Sequence, residues 1–115
     1  MDERIYWVWL AEALGQGSLL AAPLLRRFET AEQIHAGAAD GLEPDEEFRA
    51  ETVSLIRSKL KNRSLARAED IVSRCDGRGI RVVTCDDEEY PGTLRSLRDM
   101  PLVLYVLGTL PDVTG

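Results

Sequence analysis

Apolar residues recur at helical spacing through the first two thirds of the chain. From Ile5 to Leu14 they stand three or four positions apart, which predicts an amphipathic first helix. The same spacing predicts four more helices: one from about Ala22 to Phe28, one from Ala31 to about Ala36, and two over residues 45–60 and 64–77. The fourth, opening at Pro44 and Asp45, is expected to be the longest.

Several residues mark where these helices begin. Ser18 is a candidate N-cap for the second helix, but Pro23 would then lie past its first turn, so we expect regular helix only from about Ala22. Thr30 and Gln33 have the spacing of a capping box, and Ser64 is a candidate N-cap for the fifth helix.

The pattern changes after Gly79. A short β-rich run from Arg81 to Thr84 predicts a strand, and residues 91–97 suit a helical turn. The nearly continuous apolar run from Leu102 to Leu107 predicts a strand buried on both faces. We therefore expect a mainly α fold with a helical domain over residues 1–78, followed by strand, short helix and strand over residues 79–115.

Composition limits the class of protein. The chain has 115 residues, 44% of them hydrophobic, enough for one domain or slightly more. Trp7, Trp9, Phe28 and Phe48 are the large rings expected to dominate its core. The net charge of −6 does not favour non-specific phosphate binding, so any contact with DNA must rest on a local site.

The chemistry-bearing residues give no catalytic or metal-binding constellation. Cys75 and Cys85 lack zinc-ligand spacing, and His35 has no nucleophile or carboxylate motif attached. We expect no enzyme activity, no cofactor and no metal. Two ordinary cysteines suggest a reducing, cytoplasmic setting, and we expect neither a signal peptide nor a membrane-spanning segment.

The strongest candidate for binding is the turn between the first two helices. A helix, a Gly-x-Gly turn and a second helix is the layout of a helix-hairpin-helix, in which backbone N–H groups approach a phosphate. The candidate nucleic-acid-binding residues are Gly15, Gln16, Gly17, Ser18, Arg26 and Arg27. The alternative is a plain connector, with Gly15 as a C-cap and Ser18 as an N-cap.

Two charged runs have alternative interpretations as well. The basic residues Arg57, Lys59, Lys61, Arg63 and Arg67 spread around a helix, which favours a solvated face over a binding stripe. The acidic cluster Asp86 to Glu89 lacks calcium-loop spacing, so we interpret it as a solvated turn.

The tail carries the most specific sequence signal. The phrase Asp86-Asp87-x-x-Tyr90-Pro91, followed by Leu104-Tyr105-Val106-Leu107-Gly108, resembles the DNA-processing protein A family (DprA, also called Smf). Near the N-terminus, Tyr6 to Leu10 and the segment from Gly15 to Phe28 are similar to the opening of that family.

The resemblance implies a helical N-terminal domain of the sterile-alpha-motif-like (SAM-like) or helix-hairpin-helix kind, followed by the first β-α-β elements of a truncated, extended Rossmann-like domain. It also implies that the full protein binds single-stranded DNA and loads the RecA recombinase during natural transformation. The main DNA and RecA surfaces of the family would come after Gly115, so we expect this chain alone to bind DNA weakly or not at all.

One alternative function remains open at this point. An acidic helical module could dock a protein partner and touch no nucleic acid. The apolar tail adds a question of its own, because it must either pack back on the helices through Leu104, Val106 and Leu110 or pair between chains as a homodimer.

Overall fold

The structure, a computed structural model, describes residues 2–15, 18–37 and 41–107. Within these ranges the helices are α1 (Glu3–Leu14), α2 (Ala21–Arg27), α3 (Ala31–His35), α4 (Ala50–Lys59) and α5 (Ala66–Gly77). The strands are β1 (Ile80–Thr84) and β2 (Val103–Leu107), with one stretch of 3-10 helix, Gly92–Ser96, between them. The small domain agrees with the mainly helical class and with the expected order of elements.

Helix α1 lies at the centre of the fold, where it contacts α3, α4, α5 and both strands. Its N-terminus is capped by Asp2, whose carboxylate accepts a hydrogen bond of 3.0 Å from the backbone N–H of Arg4. The indole N–H of Trp9 donates to the carbonyl oxygen of Asn62 at 2.9 Å. The ring is therefore buried without losing a partner for its polar atom.

Three of the four large rings expected in the core are buried there. Trp7 and Trp9 lie on α1, and Phe48, in the loop before α4, is only 1% exposed. Phe28 is half-buried instead, because α2 ends at Arg27 and Phe28 follows it with extended backbone. The helical pattern through residue 28 did not reveal this end.

The capping box before α3 is present. The Thr30 hydroxyl accepts a hydrogen bond of 3.2 Å from the backbone N–H of Gln33. The Gln33 side chain in turn accepts a hydrogen bond of 3.0 Å from the N–H of Glu29. In a standard capping box this bond would come from the N–H of Thr30, the N-cap residue itself. Helix α3 begins at Ala31, as expected.

Helix α4 differs from the sequence prediction. It begins at Ala50 and not at Asp45, and with ten residues it is shorter than the twelve-residue α1 and α5. The Asp45 carboxylate does accept hydrogen bonds from the N–H groups of Glu47 and Phe48, at 2.8 and 2.9 Å, as an N-cap would. However, the Asp45 N–H donates to the carbonyl of Phe48 at 2.7 Å and Arg49 is extended, at φ −70° and ψ 163°, so the chain makes a turn before the helix begins. That turn delivers Phe48 to the core.

The sheet is a two-stranded antiparallel pair with Val82 opposite Tyr105 and Thr84 opposite Val103. Gly79, at φ +70°, turns the chain from α5 into β1, a backbone conformation that glycine adopts without strain. The pairing therefore differs from that of a β-α-β unit, whose strands run parallel.

Strand β2 is not buried on both faces, contrary to the prediction from its composition. Val103 is buried and Leu104 and Val106 are half-buried, whereas Tyr105 is 46% exposed and Leu107 79% exposed. Among the described residues the strand pairs with β1 and packs on α1, and these contacts leave the side chains of Tyr105 and Leu107 partly in solvent.

The tail nevertheless packs on the helices. Strand β1 contacts α1 and α5, and β2 contacts α1. Val82, Val83 and Val103 belong to the same buried cluster as the aromatic rings of α1. Leu104 and Val106 take part as expected, while Leu110 lies outside the described residues. The division into domains at residues 78 and 79 stays a prediction.

Candidate nucleic-acid interface and the neighbouring cavity

The described part of the turn after α1 has the features of a helix connector. Gly15 ends α1 with φ +87°, and its N–H donates to the carbonyl of Ala11 at 2.9 Å. The Ser18 hydroxyl accepts a hydrogen bond of 3.1 Å from the N–H of Leu20, and α2 starts at Ala21. Pro23 therefore lies in the first turn of α2, where its missing N–H costs no hydrogen bond. Gln16 and Gly17, the middle of the candidate site, lie outside the described residues.

The two arginines of the candidate site point to acidic partners. Arg27 forms an ion pair of 2.6 Å with Asp45, and Arg26 lies 3.9 Å from Glu47. Both arginines are in the last turn of α2, where the helix dipole favours positive charge. The carboxylates oppose the positive charge that a phosphate would otherwise meet.

The pair formed by Arg27 and Asp45 is also built into the fold. The Arg27 guanidinium lies 5.0 Å over the Phe48 ring, a cation–π arrangement. The hydrogen bonds from the Phe48 N–H and from Arg27 hold the pKa of the Asp45 carboxyl below its usual value. A phosphate that engages Arg27 would therefore compete with this carboxylate.

The structure does not bring the arginines to the turn. Helix α2 separates them, and its rise of about 1.5 Å per residue puts roughly 9 Å between its first and last residues. The described residues of the predicted site thus fall into two places: Gly15 and Ser18 lie at the turn, whereas Arg26 and Arg27 lie at the end of α2 and face the loop of residues 45–47.

The basic residues between positions 57 and 67 do not form a binding stripe either. Three of them donate hydrogen bonds to backbone carbonyls: Arg57 to Leu42 at 2.6 Å, Lys59 to Leu14 at 3.4 Å, and Arg63 to His35 at 2.7 Å. Arg67 forms an exposed ion pair of 3.6 Å with Glu12. These side chains tie neighbouring segments together, a role that goes beyond the solvated face expected from the sequence.

His35 has a packing role. Its ring lies edge-on to Trp9, with ring centres 4.9 Å apart, and tilted against Tyr6 at 5.2 Å. Its Nε2–H donates to the carbonyl oxygen of Arg63 at 2.8 Å. This imidazole joins α3 to the segment before α5.

The acidic cluster forms a turn that is fastened from both sides. The hydroxyl of Thr84 donates to Asp86, and Glu89 forms an ion pair with Arg81. Arg95 donates from two of its nitrogens to the carbonyls of Cys85 and Asp87, at 3.1 and 2.8 Å. The cluster therefore acts as a structured connection between β1 and the 3-10 helix.

Cys75 and Cys85 are buried free thiols. Burial raises the pKa of Cys85 to about 12, and the neighbouring Asp86 adds to the shift, so this thiol is protonated near neutrality. Among the described residues there is neither a cluster of three potential metal ligands nor a helix with the length and apolar character to cross a membrane.

A cavity beside the turn is the feature that sequence reasoning missed. It measures about 160 Å³ and lies between the helical hairpin, which contributes Leu14, Gly15 and Ser18, and the tail, which contributes Met100, Val103 and Tyr105. Glu12 is the single charged residue in its lining. Burial raises the pKa of Tyr105, and the Glu12 carboxylate adds to the effect. The apolar tail was the only sequence signal that could have indicated this cavity. It was not sufficient, because the tail approaches the turn only in the tertiary structure.

Comparison with protein families, with curated proteins and with solved structures finds no match for this chain.

Proposed function

We propose that this chain is the N-terminal accessory domain of a DprA-like protein, a single-stranded-DNA-binding recombination mediator that loads RecA during natural transformation. The proposal rests on the sequence resemblance, which is most specific in the tail. In this interpretation the five helices are the SAM-like or helix-hairpin-helix part, and β1 and β2 lead into the Rossmann-like part. Antiparallel edge strands are common on otherwise parallel sheets, so their pairing is compatible with that assignment.

One observation gives the resemblance physical weight. Tyr90, a residue of the most specific phrase, is 2% exposed, and its hydroxyl donates a hydrogen bond of 2.6 Å to the carbonyl of Pro101. This phrase therefore includes a residue that holds the connection between the two strands in place. A sequence signature of a fold is expected to contain such residues. A solvated linker would not constrain these residue types.

The charges support an accessory role for this part of the protein. The net charge is −6, and Arg26 and Arg27 face carboxylates. We expect the dissociation constant for single-stranded DNA to be weaker than about 10⁻⁶ M at physiological salt. The free thiols are consistent with a cytoplasmic protein.

The test is fluorescence anisotropy with a labelled single-stranded oligonucleotide, from low to physiological salt. Weak binding that appears at low salt and disappears with added salt would support the proposal. The double variant Arg26→Ala, Arg27→Ala should then lose this binding and flatten its salt dependence. Arg74→Ala, Arg78→Ala removes the same charge at the end of α5 and should change neither. An affinity much tighter than 10⁻⁶ M at physiological salt would contradict the accessory role.

A second candidate function is an acidic module that docks a protein and binds no nucleic acid. The cavity beside Gly15 and the exposed apolar side chains of Leu19, Tyr105 and Leu107 favour it. The same anisotropy experiment distinguishes the two functions, because a module that only docks a protein should give no anisotropy change with single-stranded DNA, even at low salt.

A further inference from the structure

A second cavity lies among the helices, and no residue of the tail lines it. It is bounded by α1, the end of α4, the loop before α5 and the first turn of α5. Its volume is about 210 Å³, which exceeds the roughly 150 Å³ of a cavity that holds benzene. The lining residues that carry polar or aromatic groups are Trp9 and Glu12 of α1, Lys59 of α4, Asn62 and Ser64 of the loop, and Arg67 of α5.

The two neutral polar side chains of this cavity engage their acceptor atoms with the backbone. Oδ1 of Asn62 accepts a hydrogen bond of 3.0 Å from the N–H of Ser64. The Ser64 hydroxyl oxygen accepts one of 3.3 Å from the N–H of Ala66. What remains to face a ligand is therefore the NH₂ group of Asn62 and the O–H of Ser64, and both of these groups are donors.

Two cations add further donors to the same cavity. The Lys59 ammonium lies 3.4 Å from the carbonyl oxygen of Leu14, a long hydrogen bond that uses one of the three N–H groups of a lysine. Nε of Arg67 lies 3.6 Å from the Glu12 carboxylate, beyond the usual hydrogen-bond distance, and the Arg67 side chain is 78% exposed. The guanidinium donors of Arg67 thus remain available to a ligand.

The balance of charge in this cavity differs from that at the end of α2. Among the described residues that line the cavity, the positive charges of Lys59 and Arg67 stand against the single negative charge of Glu12. At the end of α2, two arginines face two carboxylates, and the contact of Arg27 with Asp45 is only 2.6 Å long. The cavity is therefore a place of local positive charge in a chain of net charge −6.

We propose that this cavity binds a phosphate monoester of a small molecule. Such a group carries nearly two negative charges and three strong acceptor oxygens, so it suits a cavity that offers donors from four side chains. A carboxylate has one charge and two oxygens, and would leave more of these donors without a partner. Lys59 and Arg67 supply the charge, Asn62 and Ser64 supply neutral hydrogen bonds, and the Trp9 indole forms an apolar wall for the organic part of the ligand.

The charge of the chain favours a small molecule over a nucleic-acid strand. A net charge of −6 repels a polyanion as a whole. A single phosphate is affected mainly by charges within a Debye length, about 8 Å at physiological salt. Glu12 is the lining residue that opposes the ligand, so neutralising it should strengthen binding. This inference does not depend on the proposed function.

The experiment is an NMR titration of the ¹⁵N-labelled 115-residue chain with inorganic phosphate and with phenyl phosphate, in a chloride buffer that contains no other oxyanion. We expect saturable shifts at the backbone amides of residues 62–68 and at the side-chain NH₂ of Asn62, with a dissociation constant of about 1 mM or tighter. Phenyl phosphate should bind more tightly than inorganic phosphate, because its ring contacts Trp9.

Charge variants test the assignment. Lys59→Gln and Arg67→Gln should each weaken binding at least about fivefold, the effect of one charge at roughly 4 Å in water. Glu12→Gln should strengthen binding. Arg67 is exposed, so circular dichroism of Arg67→Gln should show an unchanged fold even if Lys59→Gln is less stable. Arg74→Gln is the matched control, because Arg74 also forms an exposed ion pair, with Asp70, and it should bind phosphate like the wild type.

Four outcomes would overturn the proposal. They are shifts that do not saturate, shifts centred on residues away from the cavity, an unchanged affinity in Arg67→Gln, and an equal loss of affinity in Arg74→Gln, which would reflect net charge alone. A last titration uses a short oligonucleotide with a 5′-phosphate and the same oligonucleotide with a 5′-hydroxyl. If the phosphorylated strand binds this cavity more tightly than phenyl phosphate does, the assignment to a small molecule is wrong.

Discussion

The hydroxyl of Tyr90 donates a hydrogen bond of 2.6 Å to the carbonyl oxygen of Pro101. The bond joins the acidic turn after β1 to the residues that enter β2, and the Arg95 guanidinium lies 5.3 Å over the same ring. Both ends of the connection between the strands are thus held by one buried side chain.

Removing that hydroxyl should destabilise the fold measurably. Tyr90→Phe keeps the ring but leaves the Pro101 carbonyl without its partner, so we expect a loss of about 1–2 kcal/mol in the free energy of unfolding. Urea denaturation followed by circular dichroism measures it. Tyr105→Phe, at a half-exposed tyrosine, is the control and should cost less than about 0.5 kcal/mol. Equal losses in the two variants would argue against the Tyr90 hydrogen bond as a fastening of the sheet.

The two phenylalanines should differ strongly in their contributions. Phe48→Ala empties a site that is 1% exposed, so we expect a loss of about 3–5 kcal/mol or failure to fold. Phe28→Ala removes a half-buried ring and should cost clearly less. Chemical denaturation of both variants under one set of conditions tests this, and a larger loss at Phe28 would contradict the order of burial.

Neutralising the carboxylates opposite the arginines should increase binding to single-stranded DNA. In Asp45→Asn, Glu47→Gln the side chains of Arg26 and Arg27 no longer face negative charge, and the chain as a whole loses two acids. We expect tighter binding at low salt and a salt dependence steeper by about 0.7 in log–log slope for each phosphate engaged. Fluorescence anisotropy measures both quantities.

The control for this gain changes the same charge elsewhere. Glu69→Gln, Asp70→Asn neutralises two carboxylates on α5, so any increase it shares with the first variant reflects net charge alone. If both double variants bind DNA equally, the local site at the end of α2 is not supported.

Alkaline pH should destabilise the protein through Cys85. Its pKa is about 12 in the folded chain and about 9 for an ordinary thiol, so the folded state holds this proton more tightly. The resulting stabilisation is present below about pH 9 and is lost as pH rises towards 12. Urea denaturation at pH 8 and pH 10.5 should show the decline, and Cys85→Ala should show a smaller one.

The matched variant for this measurement is Cys75→Ala, which keeps Cys85 and should keep the steeper decline. Tyr90, whose pKa burial raises to about 12, remains in all three proteins. Because Cys85 also contributes to the raised pKa of Tyr90, the difference between variants reports the Cys85 thiol together with its effect on Tyr90. A decline in Cys85→Ala as large as in the wild type would contradict the assignment.

Local sequence signals predicted the elements whose causes are local. The capping box of Thr30 and Gln33 starts α3 at the expected residue, and Pro23 limits where α2 can begin. Strand β1 likewise follows from its β-branched run. The start of α4 was mispredicted, because Pro44 and Asp45 suit a helix start as well as a turn. The extended backbone of Arg49, which lets the helix start only at Ala50, distinguishes the two.

The candidate site was predictable only in part. Gly15 and Ser18 have the capping roles that their residue types suggest, yet nothing in the pattern shows that Arg26 and Arg27 face Glu47 and Asp45. The composition of Leu102–Leu107 indicated a doubly buried strand, but burial depends on which elements cover the two faces of the sheet. The described elements leave two of these six residues, Tyr105 and Leu107, exposed.

The sequence by itself determined the order and character of the elements, because helix periodicity, caps and β-branched runs act between residues a few positions apart. The tertiary structure decided which charged side chains face each other and which face of β2 is covered. It also decided that a cavity forms between the tail and the turn that follows α1. These properties arise from contacts between distant segments, such as the ion pair of Glu12 with Arg67 and the packing of β2 on α1, and no local pattern encodes such contacts.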